Sequence, residues 1–287
     1  FGETIPVKGQ TVLGKNHIVG PGGKGSNQAI AAARLKGDVH FITKIGQDSH
    51  ADMALKLYKK AQININSIIQ DKNLSTGVAG IMIDEKGHNA INVVAGAAAH
   101  LNNEDIDQNL NTIKNSKIFL TQLETPEQVT LYALSKAKEN NCITILNPAP
   151  ARKIEEQYFK LIDYFTPNET EAEFYLNKKI KSENDIKEAA NQFLKKGIKN
   201  IIITLGEKGV YYSNGKEDYF VEACKLKNNV VDTTGAGDAF NGAFAVALAN
   251  SLENKDALVF ANKVAGISTT KVGAAASMPL LQDVENY

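Results

Sequence analysis

The chain has 287 residues and a mass of 31.1 kDa, room for one large domain or a domain with a small appendage. Hydrophobic residues make up 43%, ample for a buried core, and no apolar run approaches the ~20 residues of a membrane span. Lys+Arg and Asp+Glu both number 32, so no charge argument favours nucleic acid or an acidic membrane surface as partner. Cys142 and Cys224 sit in strand-like apolar sequence and read as small buried hydrophobes, not as a disulfide or metal pair. His17, His40, His50, His88 and His100 show no paired ligand spacing, so no zinc site is expected. These are the features of a soluble, cytoplasmic enzyme. The chain opens at Phe1 with neither an initiator methionine nor a signal peptide, and the expectation is that part of the N-terminus lies upstream.

In chain order, Thr4 to Gly20 reads as extended, broken at Gly9 and Gly14. Gly22-Gly23-Lys24-Gly25-Ser26-Asn27-Gln28 then opens an alanine-rich helix through Arg34. Val39 to Ile45 reads as a strand and Ala51 to Lys60 as a helix. The runs Val78 to Ile83 and Asn89 to Val94 flank the turn Asp84-Glu85-Lys86-Gly87 and predict a hairpin. Ile106, Leu110 and Ile113 recur at helical spacing before the strand Lys117 to Leu123. A helix from Glu127 to Asn140 leads to the strand Cys142 to Leu146, and a helix from Asn184 to Lys196 leads to the strand Asn200 to Leu205. Apolar helices close the chain at Gly242 to Leu252 and Asp256 to Lys271. Short strands apolar on both faces, alternating with helices, predict an α/β fold with a mainly parallel sheet covered on both sides. Ligands in such sheets bind at the carboxyl ends of the strands. Gln122-Leu123-Glu124, Asn147-Pro148-Ala149-Pro150 and Thr204-Leu205-Gly206 follow strands directly and should converge on one rim. The extended segment and the hairpin are expected to form a small β lid, residues 1–20 and 75–95, on an α/β core of residues 21–74 and 96–287. A lid would exclude water from a phosphoryl-transfer site, and its apolar free face invites dimerisation.

Three constellations carry chemistry. Asp232-Thr233-Thr234-Gly235-Ala236-Gly237-Asp238 puts small residues at the start of an apolar helix. Free N–H groups and the helix dipole make an anion site there, with a carboxylate beside it. A carboxylate next to a bound phosphate is repulsive, and the economical role for Asp238 is a base that takes a proton from an attacking hydroxyl. A plain cap or tight turn is the bland alternative. The loop at 22–28 lacks P-loop spacing and follows no strand as a dinucleotide fingerprint would. Its glycines allow close approach, Asn27 suits a sugar hydroxyl pair and Lys24 supplies a mobile cation, although a simple glycine turn before a helix has the same look. In Thr166-Pro167-Asn168-Glu169-Thr170-Glu171, Asn168 and Glu171 stand at capping-box spacing. The same two residues suit nucleotide phosphates and a hydrated Mg²⁺, and the two readings are compatible.

GGKGSNQA at 22–29, QLETP at 122–126, NPAPA at 147–151, TPNETEAE at 166–173, TLGEKG at 204–209 and DTTGAGDAFNG at 232–242 together resemble the ribokinase-type carbohydrate kinases. The six motifs cover nearly the full chain in order. The resemblance implies a three-layer α/β/α domain with a β lid that is also the dimer interface. It implies ATP-dependent phosphorylation of the 5-hydroxyl of D-ribose, with Mg²⁺ and an activating K⁺. Kinases for deoxyribose or fructose, or a silent sugar-binding protein on the same scaffold, are the alternatives. By resemblance, Gly23, Lys24, Gly25, Ser26, Asn27 and Glu124 contact sugar and Asp238 is the base, with an anion hole at Gly235, Ala236 and Gly237. Asn168, Thr204, Leu205, Gly206, Glu207, Lys208, Gly209 and Asn262 then meet ATP together with Gly237 and Asp238, and Glu171 organises the Mg²⁺ indirectly. Asp232, Thr234, Ser268, Lys271, Gly273 and Ser277 match the monovalent-cation loop. The chain departs from the family in three places. A sugar-gripping Asn and Asp on the family's first strand would precede Phe1. Gly96-Ala97-Ala98 stands where Gly-Ala-Asn is usual. Lys36 takes a glycine position at a helix end.

Overall fold

The computed structural model describes residues 1–86 and 88–287. Its central sheet has six strands: β5 (Ile118–Thr121), β6 (Ile143–Leu146), β7 (Tyr164–Phe165), β8 (Asn200–Thr204), β9 (Val210–Ser213) and β10 (Asp218–Val221). The order is β10-β9-β8-β7-β6-β5. Strands β5 to β8 are parallel, and β9 and β10 continue antiparallel. Two small sheets stand apart from it: a parallel pair, β1 (Thr43–Ile45) with β2 (Ile68–Gln70), and an antiparallel hairpin, β3 (Val78–Ile83) with β4 (Asn89–Val94). The hairpin runs match the sequence expectation in full; of its turn, Gly87 lies outside the described residues.

Alternation along the strands explains the three layers. Ile202 faces one core with Tyr212 and Phe244, while Ile201 and Ile203 face the other with Phe165, Phe193 and Tyr211. Ile201, Ile202 and Ile203 are all fully buried, so both faces of β8 are covered, as a parallel strand requires. On the first face lie α1 (Lys24–Arg34), α2 (Ser49–Lys60), α8 (Ala236–Ala249) and α9 (Asn254–Ser268). The second face carries α5 (Glu127–Glu139), α6 (Glu169–Leu176) and α7 (Glu183–Lys195). The helical spacing of Ile106, Leu110 and Ile113 resolves into two short helices, α3 (Asn103–Asp107) and α4 (Leu110–Lys114). A buried ion pair of 2.7 Å between Lys44 on β1 and Asp105 ties α3 to the small parallel sheet.

Some expectations shift. Cys142 is buried, its thiol donating to the carbonyls of Ile113 and Ser116, but Cys224 lies in a loop and is only partly buried. Both are free thiols. The N-terminal segment forms no strand. It meets the hairpin through Gly2 N–H donating to the Ile83 carbonyl and through Lys15 paired with Glu85. Pro6 and two glycines interrupt any continuous ladder there. Lys36 adopts φ of 68°, the left-handed turn that ends α1, so its departure from glycine concerns a helix end.

The crossing of α1 and α8 is set by Gly242. A Cβ at this position would lie 2.6 Å from the Gln28 carbonyl oxygen and 2.8 Å from the Ala31 Cβ, so only glycine allows this approach. The contact brings the first turn of α1 against the first turn of α8. Gly242→Ala gains about 1 kcal/mol of helix propensity and loses about 1–3 kcal/mol to overpacking against backbone. A net fall in the urea unfolding midpoint is expected; an unchanged or higher midpoint would show that the helices can slide apart freely.

Candidate active site

Helix α8 begins where Gly235, at φ of 79°, turns the chain into its first turn. A Cβ on Gly235 would come within 3.0 Å of the Ala274 Cβ, which packs the turn against α10 (Ala274–Ser277). Of the three amides expected at the anion hole, Ala236 N–H is occupied by the Thr233 carbonyl at 3.2 Å. Among the described residues, the N–H groups of Gly235, Gly237 and Asp238 have no backbone or side-chain acceptor. A Cβ on Gly237 would meet nothing within 4 Å, so the space in front of these amides is open. Three unpaired N–H groups at a helix N-terminus make a place that suits an anion, and Ala236 is not among them.

The carboxylate of Asp238 is buried yet well supplied with donors. Asn27 Nδ2 donates to Oδ2 at 2.8 Å and Gln28 Nε2 donates to Oδ1 at 3.0 Å. Burial pushes its pKa above the ordinary carboxylate range, against the opposing charge of Lys24 and the two amide donors. The oxygen of the same Asn27 amide, Oδ1, is buried with no partner among the described residues, an acceptor waiting for a donor. Glu124, just past the end of β5, accepts the Lys24 backbone N–H at 2.7 Å. Its pKa is also raised, chiefly by burial. Gly23 caps α1, and a Cβ there would sit 3.6 Å from Glu124 Oε2, while Gly25 packs on Gln122 and Phe41. Ser26 turns the opposite way. Its hydroxyl accepts from Tyr58 at 3.0 Å and supports the loop from beneath.

On the neighbouring strand ends, Asn168 caps α6 in the expected capping box. Its Oδ1 accepts from Glu171 N–H at 2.8 Å, and Glu171 Oε2 accepts from Asn168 N–H at 2.9 Å. Burial raises the Glu171 pKa, with Lys24 lowering it and Asp238 raising it, which places this carboxylate in the same electrostatic compartment. Asn168 bridges to Thr204 at the end of β8, where the turn Thr204-Leu205-Gly206-Glu207-Lys208-Gly209 begins. Gly209 lies flush on the Val221–Ala223 backbone, and Asn262 donates to the Val221 and Glu222 carbonyls at 3.1 Å each. Asn262 therefore holds the backbone under that turn.

The segments expected to hold a monovalent cation are joined by Asp232, which accepts from Thr234 N–H at 2.9 Å and Gly273 N–H at 2.8 Å. Burial alone would raise its pKa, but the Thr234 hydroxyl and the Gly273 and Thr234 amides bring it below the usual value. Ser268 and Ser277 donate their hydroxyls to the Ala265 and Ala274 carbonyls, and Lys271 turns toward Asp283 at 3.9 Å. This loop abuts the Gly235 turn through Ala274.

A glycine-rich loop, a buried carboxylate, a helix end with free amides and a capped acidic turn gather on one rim. The sequence profile of the pfkB family carbohydrate kinases matches residues 3–281. The chain belongs to that family. The Staphylococcus aureus ribokinase is 41% identical over 285 residues, covering 99% of this chain and 91% of that protein. A Salmonella typhi deoxyribokinase is 34% identical over 288 residues, covering 100% of the chain and 94% of that protein. Among solved structures, the Arabidopsis thaliana ribokinase complexed with ribose and ATP superposes with a TM-score of 0.93 at 29% identity, over 99% of this chain and 92% of that one.

Sequence reasoning passed over Gln28, Gln122, Asn147, Thr166 and Asn241. All are partly or fully buried polar side chains that hydrogen-bond one another beneath the pfkB site. The available signal was a polar residue in an otherwise apolar helix, such as Gln28 among alanines or Asn241 between Phe240 and Phe244.

Proposed function

We propose that this pfkB-family kinase transfers the γ-phosphoryl group of ATP to the 5-hydroxyl of D-ribose. The observation that carries the reading is the Asp238 carboxylate, fixed by two amide donors beside the unpartnered Asn27 Oδ1 and at the mouth of three free backbone amides. Sugar would lie between the Gly23–Asn27 loop and Glu124, with Asn27 Oδ1 and Glu124 accepting from ring hydroxyls. Asp238 takes the proton of the attacking hydroxyl as the bond to phosphorus forms. The amides of Gly235, Gly237 and Asp238, already oriented by the start of α8, receive the negative charge that develops on the transferring group. The lid formed by residues 1–20 and 75–95 would cover the sugar from the side opposite the core.

The donor set fits the cofactors. Glu171 commits one oxygen to its capping box, which leaves a single carboxylate oxygen for a Mg²⁺ that keeps its waters and rides on nucleotide phosphates. Bound there, Mg²⁺ would neutralise phosphate charge. Asp232 and the carbonyl-rich 268–277 segment supply the hard oxygens that a weakly hydrated K⁺ takes. The turn they brace is the one that presents the free amides.

An ADP-release assay across a sugar panel should show ribose preferred over 2-deoxyribose. A site built to accept from a hydroxyl leaves its own groups unpaired when that hydroxyl is missing, at a cost of about 1–3 kcal/mol. Equal specificity constants would make this a broader pentose kinase. In the same assay Asp238→Asn should lose roughly 10²–10⁴-fold in turnover, and near-normal turnover would remove Asp238 from the mechanism. Replacing K⁺ with tetramethylammonium should slow turnover while leaving some activity; identical rates would count against the cation loop.

A homodimer through the lid is supported by the hairpin's apolar surface. Ile81, Met82, Ile91 and Val93 are all more than half exposed, on a two-stranded sheet that is marginal alone. Light scattering at micromolar concentration should return about twice 31.1 kDa, and the monomer mass would rule the dimer out.

A further inference from the structure

Gln28 is 1% exposed, and both N–H groups and the oxygen of its side-chain amide are engaged. Its Nε2 donates to Asp238 Oδ1 at 3.0 Å and to Asn147 Oδ1 at 3.1 Å, while its Oε1 accepts from Gln122 Nε2. An amide has a carbonyl end and an NH₂ end of nearly equal shape, so something must decide which end meets the carboxylate. Here the decision starts at a backbone carbonyl. The Thr166 oxygen can only accept, so Asn147 must present Nδ2 to it, at 3.1 Å. That leaves Asn147 Oδ1 facing Gln28, which must answer with its own NH₂. The second hydrogen of the same NH₂ then points at Asp238. Gln122 closes the arrangement by donating to the remaining Oε1.

The relay also returns to the helix that bears the base. Thr166 Oγ1 donates to Asn241 Oδ1 at 2.7 Å, and Asn241 Nδ2 donates to the Gly237 carbonyl at 2.8 Å. Thr166 and Asn241 are each 1% exposed and Asn147 is 7% exposed, so water does not compete for these bonds. The ends of β5, β6 and β7 are thereby linked to the first turn of α8.

We infer that Gln28 is a positioning residue for the kinase reaction, whose amide holds the Asp238 carboxylate in one rotamer under a polarity set by Thr166 and Asn147. The inference rests on the reading of Asp238 as the base and goes beyond it. Asn27 holds the other carboxylate oxygen from the sugar side, whereas Gln28 touches no open space and acts through Asp238 alone. The charged groups that face Asp238 are Lys24 on α1, Glu124 after β5 and Glu171 on α6. Lys24 favours the ionised form, and the other two carboxylates oppose it. Loss of the Gln28 donor removes a bond to the ionised form, so the base should then require a higher pH to be charged.

The test uses the full chain with saturating MgATP and measures sugar turnover from pH 5 to pH 9 for Gln28→Met, Gln122→Met and Asp238→Asn. Methionine keeps the volume of glutamine and removes the polarity. Gln28→Met should lower kcat about 10- to 100-fold, the worth of a hydrogen bond to a charged group, with the Michaelis constants for sugar and ATP little changed. Its acid limb should move up by about one pH unit. Gln122→Met, which frees the Gln28 amide without removing it, should move the limb the same way by less, and it decides the matter if Gln28→Met does not fold. A merely structural role would scale the whole profile without shifting the limb, and an unshifted limb in the folded variants overturns the inference. Normal turnover by Asp238→Asn would instead overturn the base reading itself, with the Gln28 profile left as wild type.

Discussion

Two helix N-termini meet at one carboxylate, and the placement of the other site groups follows from that meeting. Asp238 sits in the first turn of α8, where the helix dipole favours negative charge, but it is also buried, where charge is costly. The cost is offset from α1: Asn27 and Gln28 each give an N–H to one carboxylate oxygen, and Lys24 adds its charge. None of these groups reaches Asp238 unless the helices touch backbone to backbone. Gly242, one turn beyond Asp238, is what permits the touch. A larger residue would separate the helices at the point where a small displacement unpairs the Asp238 carboxylate.

The sheet supplies the remaining constraint. Because β5 to β8 are parallel, their carboxyl ends lie on one side and deliver Gln122 and Glu124, Asn147, Thr166 and Asn168, and Thr204 in spatial sequence. Their opposite ends are closed by charge: Asp163 accepts from Lys138 and Lys199, and these partners outweigh burial to keep its pKa low. Chemistry at one end and structural ion pairing at the other follow from the direction of the strands. The rim is rigid because residues 201 to 203 are packed on both faces.

Much of this was legible in the sequence where the signal was local. The hairpin runs Val78 to Ile83 and Asn89 to Val94 are rich in valine and isoleucine on either side of a turn, and they end where expected. Asn168 and Glu171 declared a capping box by spacing, and the box forms with both bonds. What was not legible depended on contacts distant in sequence. β9 and β10 are short and tyrosine-rich, and their antiparallel pairing onto β8 is decided by a tight turn at Gly209 and a second at Gly215. Cys224 looked like a strand residue by its neighbours, yet Gly209 packs against that backbone and the ladder ends at Val221. Ser26 belongs to the sugar loop by position, but helical rotation of about 100° per residue turns it from the face shared by Gly23 and Asn27 toward Tyr58. Gln28 was invisible as a functional residue because its partners lie 94, 119 and 210 residues away.

The charge balance of the rim explains why the kinase reading needs a divalent ion as well as a base. Asp238 raises the pKa of both Glu124 and Glu171, and Lys24 acts on all three carboxylates, with Arg152 reaching Glu124 alone. Carboxylates therefore outnumber cations where a polyphosphate must approach. Three helix-end amides soften this repulsion locally but carry only partial charge. A nucleotide arriving without its metal would meet net negative charge, whereas one arriving with Mg²⁺ brings positive charge to Glu171, the carboxylate with an oxygen to spare. The residual negative field then has a use. In the proposed reaction, a carboxylate that burial already makes reluctant to ionise would hold the hydroxyl proton more firmly once it had taken it, which favours transfer in the direction of phosphorylation.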